Sequence, residues 1–255
     1  MVRPHVITYS NKANSPWIVL INGLFVNKSS WDQHIKYLTP RFNVLTYDCK
    51  GQAEKEVLRS TYNLESHVSD LKELLDNLDI PKVSLLGISN GGRIALKFTE
   101  IYGHRVETII SGDTYDILSQ SLKLKLESWL FASKHGGNKL RFKVSTPWIF
   151  GKTLIEEKPE LITYFESLSE SRSQLNSENL IASALRAEDK INLNLIKNNI
   201  VFFVGEEDLL TTCKEHEHMA MKCHNSKLIQ VKGGHASLLE YPDNLNIIME
   251  ELCLG

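Results

Sequence analysis

The chain has 255 residues, 42% of them hydrophobic and 24% charged, a balance that gives a globular protein enough apolar material for a sizeable core. Its formal net charge of −2 provides no field to attract nucleic acid or an anionic membrane. No stretch reaches the roughly 18 consecutive apolar residues of a membrane span, and Met1-Val2-Arg3-Pro4-His5 lacks the apolar run of a signal peptide. Cys49, Cys213, Cys223 and Cys253 have no metal-ligand spacing and are too few for a disulfide framework, so a reducing, cytoplasmic setting is the expectation.

In chain order, short β-branched apolar runs alternate with longer amphipathic ones. Residues 6–9 are a candidate edge strand. Residues 17–21 predict a strand, 30–38 a helix and 42–47 the next strand. In 64–78 the apolar positions Val68, Leu71, Leu74, Leu75 and Leu78 fall near helical spacing, with charges between them. Residues 83–88 predict a strand, 91–102 a helix and 106–110 a strand. Two further strands follow at 200–204 and 228–231, and a helix over 236–253 closes the chain. Near-continuous apolar strands separated by helices predict an α/β fold, with a mostly parallel sheet covered on both faces. Residues 114–195 break the rhythm, reading as helix and loop with no strand. They are expected to form a helical cap inserted over the sheet's C-terminal edge, dividing the core into 1–113 and 196–255.

The segment Leu85-Leu86-Gly87-Ile88-Ser89-Asn90-Gly91-Gly92 carries the strongest chemical signal. It places G-x-S-x-G between an apolar strand and a helix. The sharp turn lifts the Ser89 hydroxyl above the sheet edge at a helix N-terminus, and side chains at 87 and 91 would clash there. Val231-Lys232-Gly233-Gly234-His235-Ala236 sets a histidine after the last strand, where it can take the serine proton and return it to a leaving group. With these residues the chain resembles the α/β-hydrolase superfamily over essentially its whole length.

The resemblance implies an α/β-hydrolase fold with Ser89 as nucleophile, His235 as base and an acid after the preceding strand. Three residues past Gly205, that acid is Asp208. Asp113, in Ser111-Gly112-Asp113-Thr114, is the alternative, since some relatives carry the acid one strand earlier. The order Ser, Asp, His is that of this fold. By the same carry-over, the backbone N–H groups of Leu24 and Asn90 form the oxyanion hole.

Asn22 stands where relatives usually have histidine, so the hydrogen bonds supporting that loop must differ. Asn22-Gly23, Ser29, Ser30, Phe42-Asn43-Val44 and Gly51-Gln52 are similar to the hydroxyacyl-carrier-protein acyltransferases of the rhamnolipid and polyhydroxyalkanoate pathways, although the chain has no H-x-x-x-x-D motif. The loop Asp48 to Glu54 departs from its relatives at Lys50 and Ala53, and is expected to shape the sheet edge and not the chemistry.

The cap is apolar, with Leu122, Trp129, Phe142, Phe150 and Phe165 among its large side chains, and part of it is expected to line a channel for an acyl or aromatic group. Its first half is basic, through Lys123, Lys125, Lys134, Lys139, Arg141 and Lys143. A solvated helix face is the plain reading of that run; docking of an acyl carrier protein or coenzyme A is the functional one. Glu215-His216-Glu217-His218 with Cys223-His224 looks like a metal cluster, but residues two apart on a helix face different ways, and no metal or cofactor is implied.

The expected activity is hydrolysis of a small-molecule carboxylic ester or thioester through an acyl-enzyme. An acyltransferase, a C–C bond hydrolase and a non-catalytic ligand receptor are the alternatives. A haloalkane dehalogenase is disfavoured, because the elbow carries serine and not aspartate.

Overall fold

A computed structural model describes residues 3–53, 56–186 and 190–253. The expected core ends at 1 and 255, Glu54 of the sheet-edge loop and residues 187–189 of the insertion lie outside them. Seven strands form one sheet in the order β1-β3-β2-β4-β5-β6-β7. They are β1 (His5–Thr8), β2 (Trp17–Ile21), β3 (Asn43–Tyr47), β4 (Val83–Ile88), β5 (Val106–Gly112), β6 (Asn199–Gly205) and β7 (Ser226–Val231). β1 runs antiparallel to β3, and every other pairing is parallel. The α/β class with a mostly parallel sheet is therefore the observed one, and residues 6–9 do supply most of the edge strand.

Period-two alternation of the strands divides the core between the two faces. Val19 and Ile21 of β2 pack with Leu71 and Phe98, from α2 (Leu64–Asn77) and α3 (Asn90–Tyr102). Ile18 and Leu20 point the other way, toward Leu38 of α1 (Asp32–Leu38) and toward Leu245 and Ile248 near the C-terminus. A sheet apolar on both faces needs such cover, and the intervening helices provide it.

The elbow depends on close backbone approach. A Cβ on Gly91 would sit 2.1 Å from the Ile21 carbonyl oxygen, and one on Gly87 would sit 2.3 Å from that of Gly91. Glycine at both positions lets α3 leave the end of β4 against β2.

Between β5 and β6 the chain leaves the sheet and forms α4 (Gln120–Ile149), α5 (Lys152–Glu157), α6 (Pro159–Glu170) and α7 (Gln174–Ala184). α4 is two helical pieces joined at a kink, because Gly136 (φ −148°) and Gly137 (φ 65°) leave helical geometry. Beyond β6 follow α8 (Cys213–Met221), α9 (Ser237–Glu240) and α10 (Asn244–Cys253). The single closing helix expected over 236–253 is broken at Tyr241-Pro242: the residue before a proline is pushed out of the helical region, and Tyr241 sits at φ −135°, ψ 84°.

Candidate active site

The sequence-selected residues all follow the carboxyl ends of strands, where ligands bind in open α/β sheets. Asn22 to Phe25 follow β2, Ser89 follows β4, Asp113 follows β5, Asp208 follows β6 and His235 follows β7. The parallel order β2-β4-β5-β6-β7 brings them to one edge.

Ser89 occupies the elbow at φ 55°, ψ −120°. That conformation is costly for any residue with a side chain. Bonds on both sides hold it: the Ser89 N–H donates to the Gly112 carbonyl at 2.9 Å, and the Thr114 hydroxyl donates to the Ser89 carbonyl at 2.7 Å. The Ser89 side chain makes no capping bond to α3. Its Oγ lies 2.8 Å from His235 Nε2, and His235 Nδ1 lies 3.0 Å from Asp208 Oδ2. His235 and Asp208 are 6% and 5% exposed, so little solvent competes for these bonds.

Asp208 is held by its own loop. Its Oδ1 accepts the N–H groups of Leu210 and Thr211 at 2.8 and 2.9 Å, and its Oδ2 accepts the Thr211 hydroxyl at 2.9 Å. Burial pushes the Asp208 carboxyl up, but the charge and hydrogen bond of His235, together with the Thr211 donors, hold it below the usual carboxylate range. Asp113 is different. Its Oδ1 accepts the Gly205 N–H at 2.9 Å, and its Oδ2 is hydrogen-bonded to Ser237 Oγ at 2.6 Å. Complete burial, then the nearby Asp208 charge, raise it well above the usual range. Of two close carboxyls only one readily ionises, and here the ionised one faces the histidine. The structure thus brings Asp208, and not Asp113, into contact with His235.

Asp208 Oδ2 accepts a hydrogen bond from Nδ1–H, so the neutral imidazole turns a bare Nε2 lone pair toward Ser89. Burial disfavours the imidazolium, yet the Asp208 charge and hydrogen bond raise His235 above its ordinary 6.5. His235 must be neutral to accept a proton. Ester kcat/KM should therefore rise with pH through an apparent pKa above 6.5, and a pH–rate profile measures it. Without the Asp208 charge the midpoint should move toward lower pH.

The expected oxyanion donors flank Ser89. Asn90 opens α3, where the first N–H groups have no intrahelical partner. Gly23 is so close that a Cβ there would lie 3.1 Å from Ser89 Cβ, which sets the following Leu24 beside the elbow. The histidine usual at position 22 is replaced by a buried asparagine whose Oδ1 accepts the Ser30 hydroxyl at 3.1 Å.

The 48–52 loop does more than shape an edge. Asp48 accepts the Lys28 N–H at 2.8 Å and pairs with Lys28 Nζ at 2.6 Å, and Gln52 Oε1 accepts the Val26 N–H at 3.2 Å. These three bonds anchor the segment that follows Leu24, at Val26 and Lys28. Two further residues escaped sequence reasoning, Thr211 and Glu240. Glu240 is 6% exposed and accepts the N–H groups of Gly151 and Gly234 at 3.1 and 3.0 Å. It ties the histidine loop to the inserted helices, and burial lifts its carboxyl to about 7.

Above Ser89 lies a cavity of about 690 Å³. Leu122, Trp129, Phe142, Phe150 and Phe165 of the insertion line it, whereas Leu124, Phe131, Leu140 and Trp148 are exposed. The profile of the alpha/beta hydrolase fold family spans residues 16–242.

The chain belongs to the α/β-hydrolase fold family.

The 3-oxoadipate enol-lactonase 2 of Acinetobacter baylyi is 24% identical to it over 94% of this chain and 89% of that protein. The crystal structure of the enol-lactonase from Burkholderia xenovorans LB400 superposes with a TM-score of 0.87 at 21% identity, covering 98% of this chain and 96% of that one. A thermophilic esterase from Thermogutta terrifontis superposes at 0.86 with 20% identity, covering 98% and 92%.

The histidines of Glu215-His216-Glu217-His218 have different surroundings in this α/β-hydrolase. His216 is fully buried, its Nε2 accepting the Thr114 N–H at 3.0 Å and its Nδ1 lying 3.1 Å from the Thr212 carbonyl, while His218 is exposed on α8. Among the described residues no group of three His, Cys, Asp or Glu could hold a metal ion. No described helix is long and apolar enough to cross a membrane.

Proposed function

We propose that this α/β-hydrolase cleaves a carboxylic ester, open-chain or cyclic, through an acyl-enzyme on Ser89. The observation that carries the reading is the hydrogen-bonded line Ser89 Oγ–His235 Nε2 and His235 Nδ1–Asp208 Oδ2 beneath an apolar cavity. Its relative from Acinetobacter baylyi is named for an enol-lactone, a cyclic ester, and the neighbour from Thermogutta terrifontis is an esterase.

Ser89 Oγ attacks the carbonyl carbon while His235 Nε2 takes its proton. The C–O double bond opens to an oxyanion that accepts the Leu24 and Asn90 N–H groups, each donor contributing about 3 kcal/mol to that state. The imidazolium, paired with Asp208, gives its proton to the leaving oxygen as the C–O bond breaks. Water then enters, His235 removes its proton, and a second tetrahedral state collapses as the acyl bond to Ser89 Oγ breaks and His235 returns the proton to that oxygen, releasing the free acid. The insertion acts as a cap that roofs the acyl site, and its closure decides how readily water or another hydroxyl reaches the acyl-enzyme.

Fluorophosphonate labelling and matched panels of p-nitrophenyl esters and acyl thioesters test this. Labelling confined to Ser89 with ester turnover above thioester turnover is the expected result. Preference for long thioesters, with transfer to an added alcohol exceeding hydrolysis, would replace the reading with acyl transfer to or from a carrier protein or coenzyme A. A Ser89 that resists the reagent while ligands still bind would mean a receptor.

A further inference from the structure

Arg141 departs from the basic run to which it belongs. Lys134, Lys139 and Lys143 are exposed. Lys123 and Lys139 pair with Glu127 and Glu170, and Lys125 Nζ donates to the Leu209 carbonyl. Arg141 is 2% exposed and lines the cavity that holds Ser89. Its guanidinium carbon lies 4.1 Å from the centre of the Phe25 ring, and its Nη2 donates to Ser169 Oγ. Its buried Nε has no hydrogen-bond partner among the described residues.

Arg172, in the turn between α6 and α7, lines the same cavity. Neither arginine forms an ion pair among the described residues. The acid whose charge acts on Arg172, Asp48, is already matched by Lys28. Burial, and then the second cation, bring Arg141 down to about 10, so it stays charged at neutral pH. An uncompensated buried cation is costly, and arginine cannot escape the cost by losing its proton. The buried Arg141 and the half-buried Arg172 in one otherwise largely apolar cavity call for an anion from outside.

We propose that Arg141 and Arg172 form a carboxylate-binding subsite, so that the ester taken by this enzyme carries a free carboxylate remote from its scissile carbonyl. The inference rests on the hydrolase reading for the word ester, but the subsite itself does not. A planar guanidinium matches the two oxygens of a carboxylate. The same donors would also match the oxygens of a phosphate monoester, and butyl phosphate set against adipate separates the two.

The test compares the mono-p-nitrophenyl ester of adipate with p-nitrophenyl hexanoate, which share a six-carbon acyl chain. Wild-type enzyme should favour the carboxylated ester. In Arg141→Gln the ratio of kcat/KM values, carboxylated over neutral, should fall about 10- to 100-fold, the range of one hydrogen bond to a charged group, and the loss should appear in KM. Arg172→Gln should lower the ratio in the same direction, and Arg141→Lys should recover part of it. An arginine that merely braces the cap would alter both esters alike, so an unchanged ratio in both glutamine variants overturns the proposal.

Calorimetry on Ser89→Ala separates the subsite from the chemistry. Adipate should bind Ser89→Ala, and binding should be lost in the Ser89→Ala, Arg141→Gln double variant. Equal binding to the two, or no binding to Ser89→Ala, overturns the subsite, and butyl phosphate binding more tightly than adipate overturns the choice of carboxylate. Should Ser89 resist labelling and neither ester turn over, the hydrolase reading falls and the calorimetry alone decides the subsite.

Discussion

Ser89→Ala is expected to lower kcat on a p-nitrophenyl ester by about a hundred-thousandfold to a millionfold, the loss found when a serine nucleophile is removed from a hydrolase of this chemistry. Without Oγ there is no covalent route. What remains is water attack assisted by His235 and by whatever the Leu24 and Asn90 N–H groups contribute. Steady-state turnover on purified protein measures the loss, and a decrease below about a hundredfold would place the nucleophile elsewhere. Stability separates this chemical loss from damage to the fold. Ser89 sits at φ 55°, ψ −120°, a conformation as strained for alanine as for serine, so Ser89→Ala should unfold at nearly the wild-type urea concentration. Ser89→Gly should be as inactive yet more stable by about 1 kcal/mol, because glycine adopts positive φ without the Cβ penalty. An active site held in strain by the bonds from Thr114 and to Gly112 predicts that pairing of lost activity and gained stability.

The sheet was legible because its physics is local. Buried parallel strands are short apolar runs, and residues 17–21 and 83–88 coincide with β2 and β4. The elbow was legible because a close approach admits only glycine, and Gly87 and Gly91 each abut backbone at less than 2.5 Å from a notional Cβ. Pro242 signalled the break between α9 and α10, and a closing helix drawn straight through it ignored the restriction on the residue before proline. The direction of Arg141 was not legible. Helical periodicity carries a face forward only while the helix continues, and Gly136-Gly137 interrupts α4. Beyond the kink the phase is reset, so a position that reads as part of a solvated basic stripe turns into the cavity beside Phe142 and Ser145. Thr211 and Glu240 were hidden for another reason. Thr211 Oγ1 meets His235 Nδ1 at 3.1 Å across the ends of β6 and β7, and Glu240 reaches the Gly151 N–H of the insertion, and no local spacing encodes those meetings. The acid was half legible: both Asp113 and Asp208 end neighbouring strands, and only tertiary geometry shows which one meets His235.

That geometry predicts opposite outcomes for two chemically identical substitutions. Asp208→Asn should lower kcat about ten-thousandfold. The asparagine could still accept the Leu210 and Thr211 N–H groups through its oxygen, but it would then turn an NH2 toward His235 Nδ1. The imidazole would answer by accepting there and carrying its proton on Nε2, facing Ser89 with a donor where a lone pair is needed. Asp113→Asn should leave kcat within about tenfold of wild type, a disturbance of about 1.4 kcal/mol or less. Burial already favours the neutral Asp113 carboxyl, and asparagine can reproduce both of its bonds, accepting the Gly205 N–H and donating to Ser237 Oγ. The pH profiles should diverge as well. Loss of the Asp208 charge removes the main support for the His235 imidazolium, so the residual activity of Asp208→Asn should titrate at lower pH than the wild type, whereas Asp113→Asn should keep a midpoint near that of the wild type. A large loss in Asp113→Asn with little in Asp208→Asn would assign the acid to the end of β5 and leave the 3.0 Å contact between His235 and Asp208 a structural one.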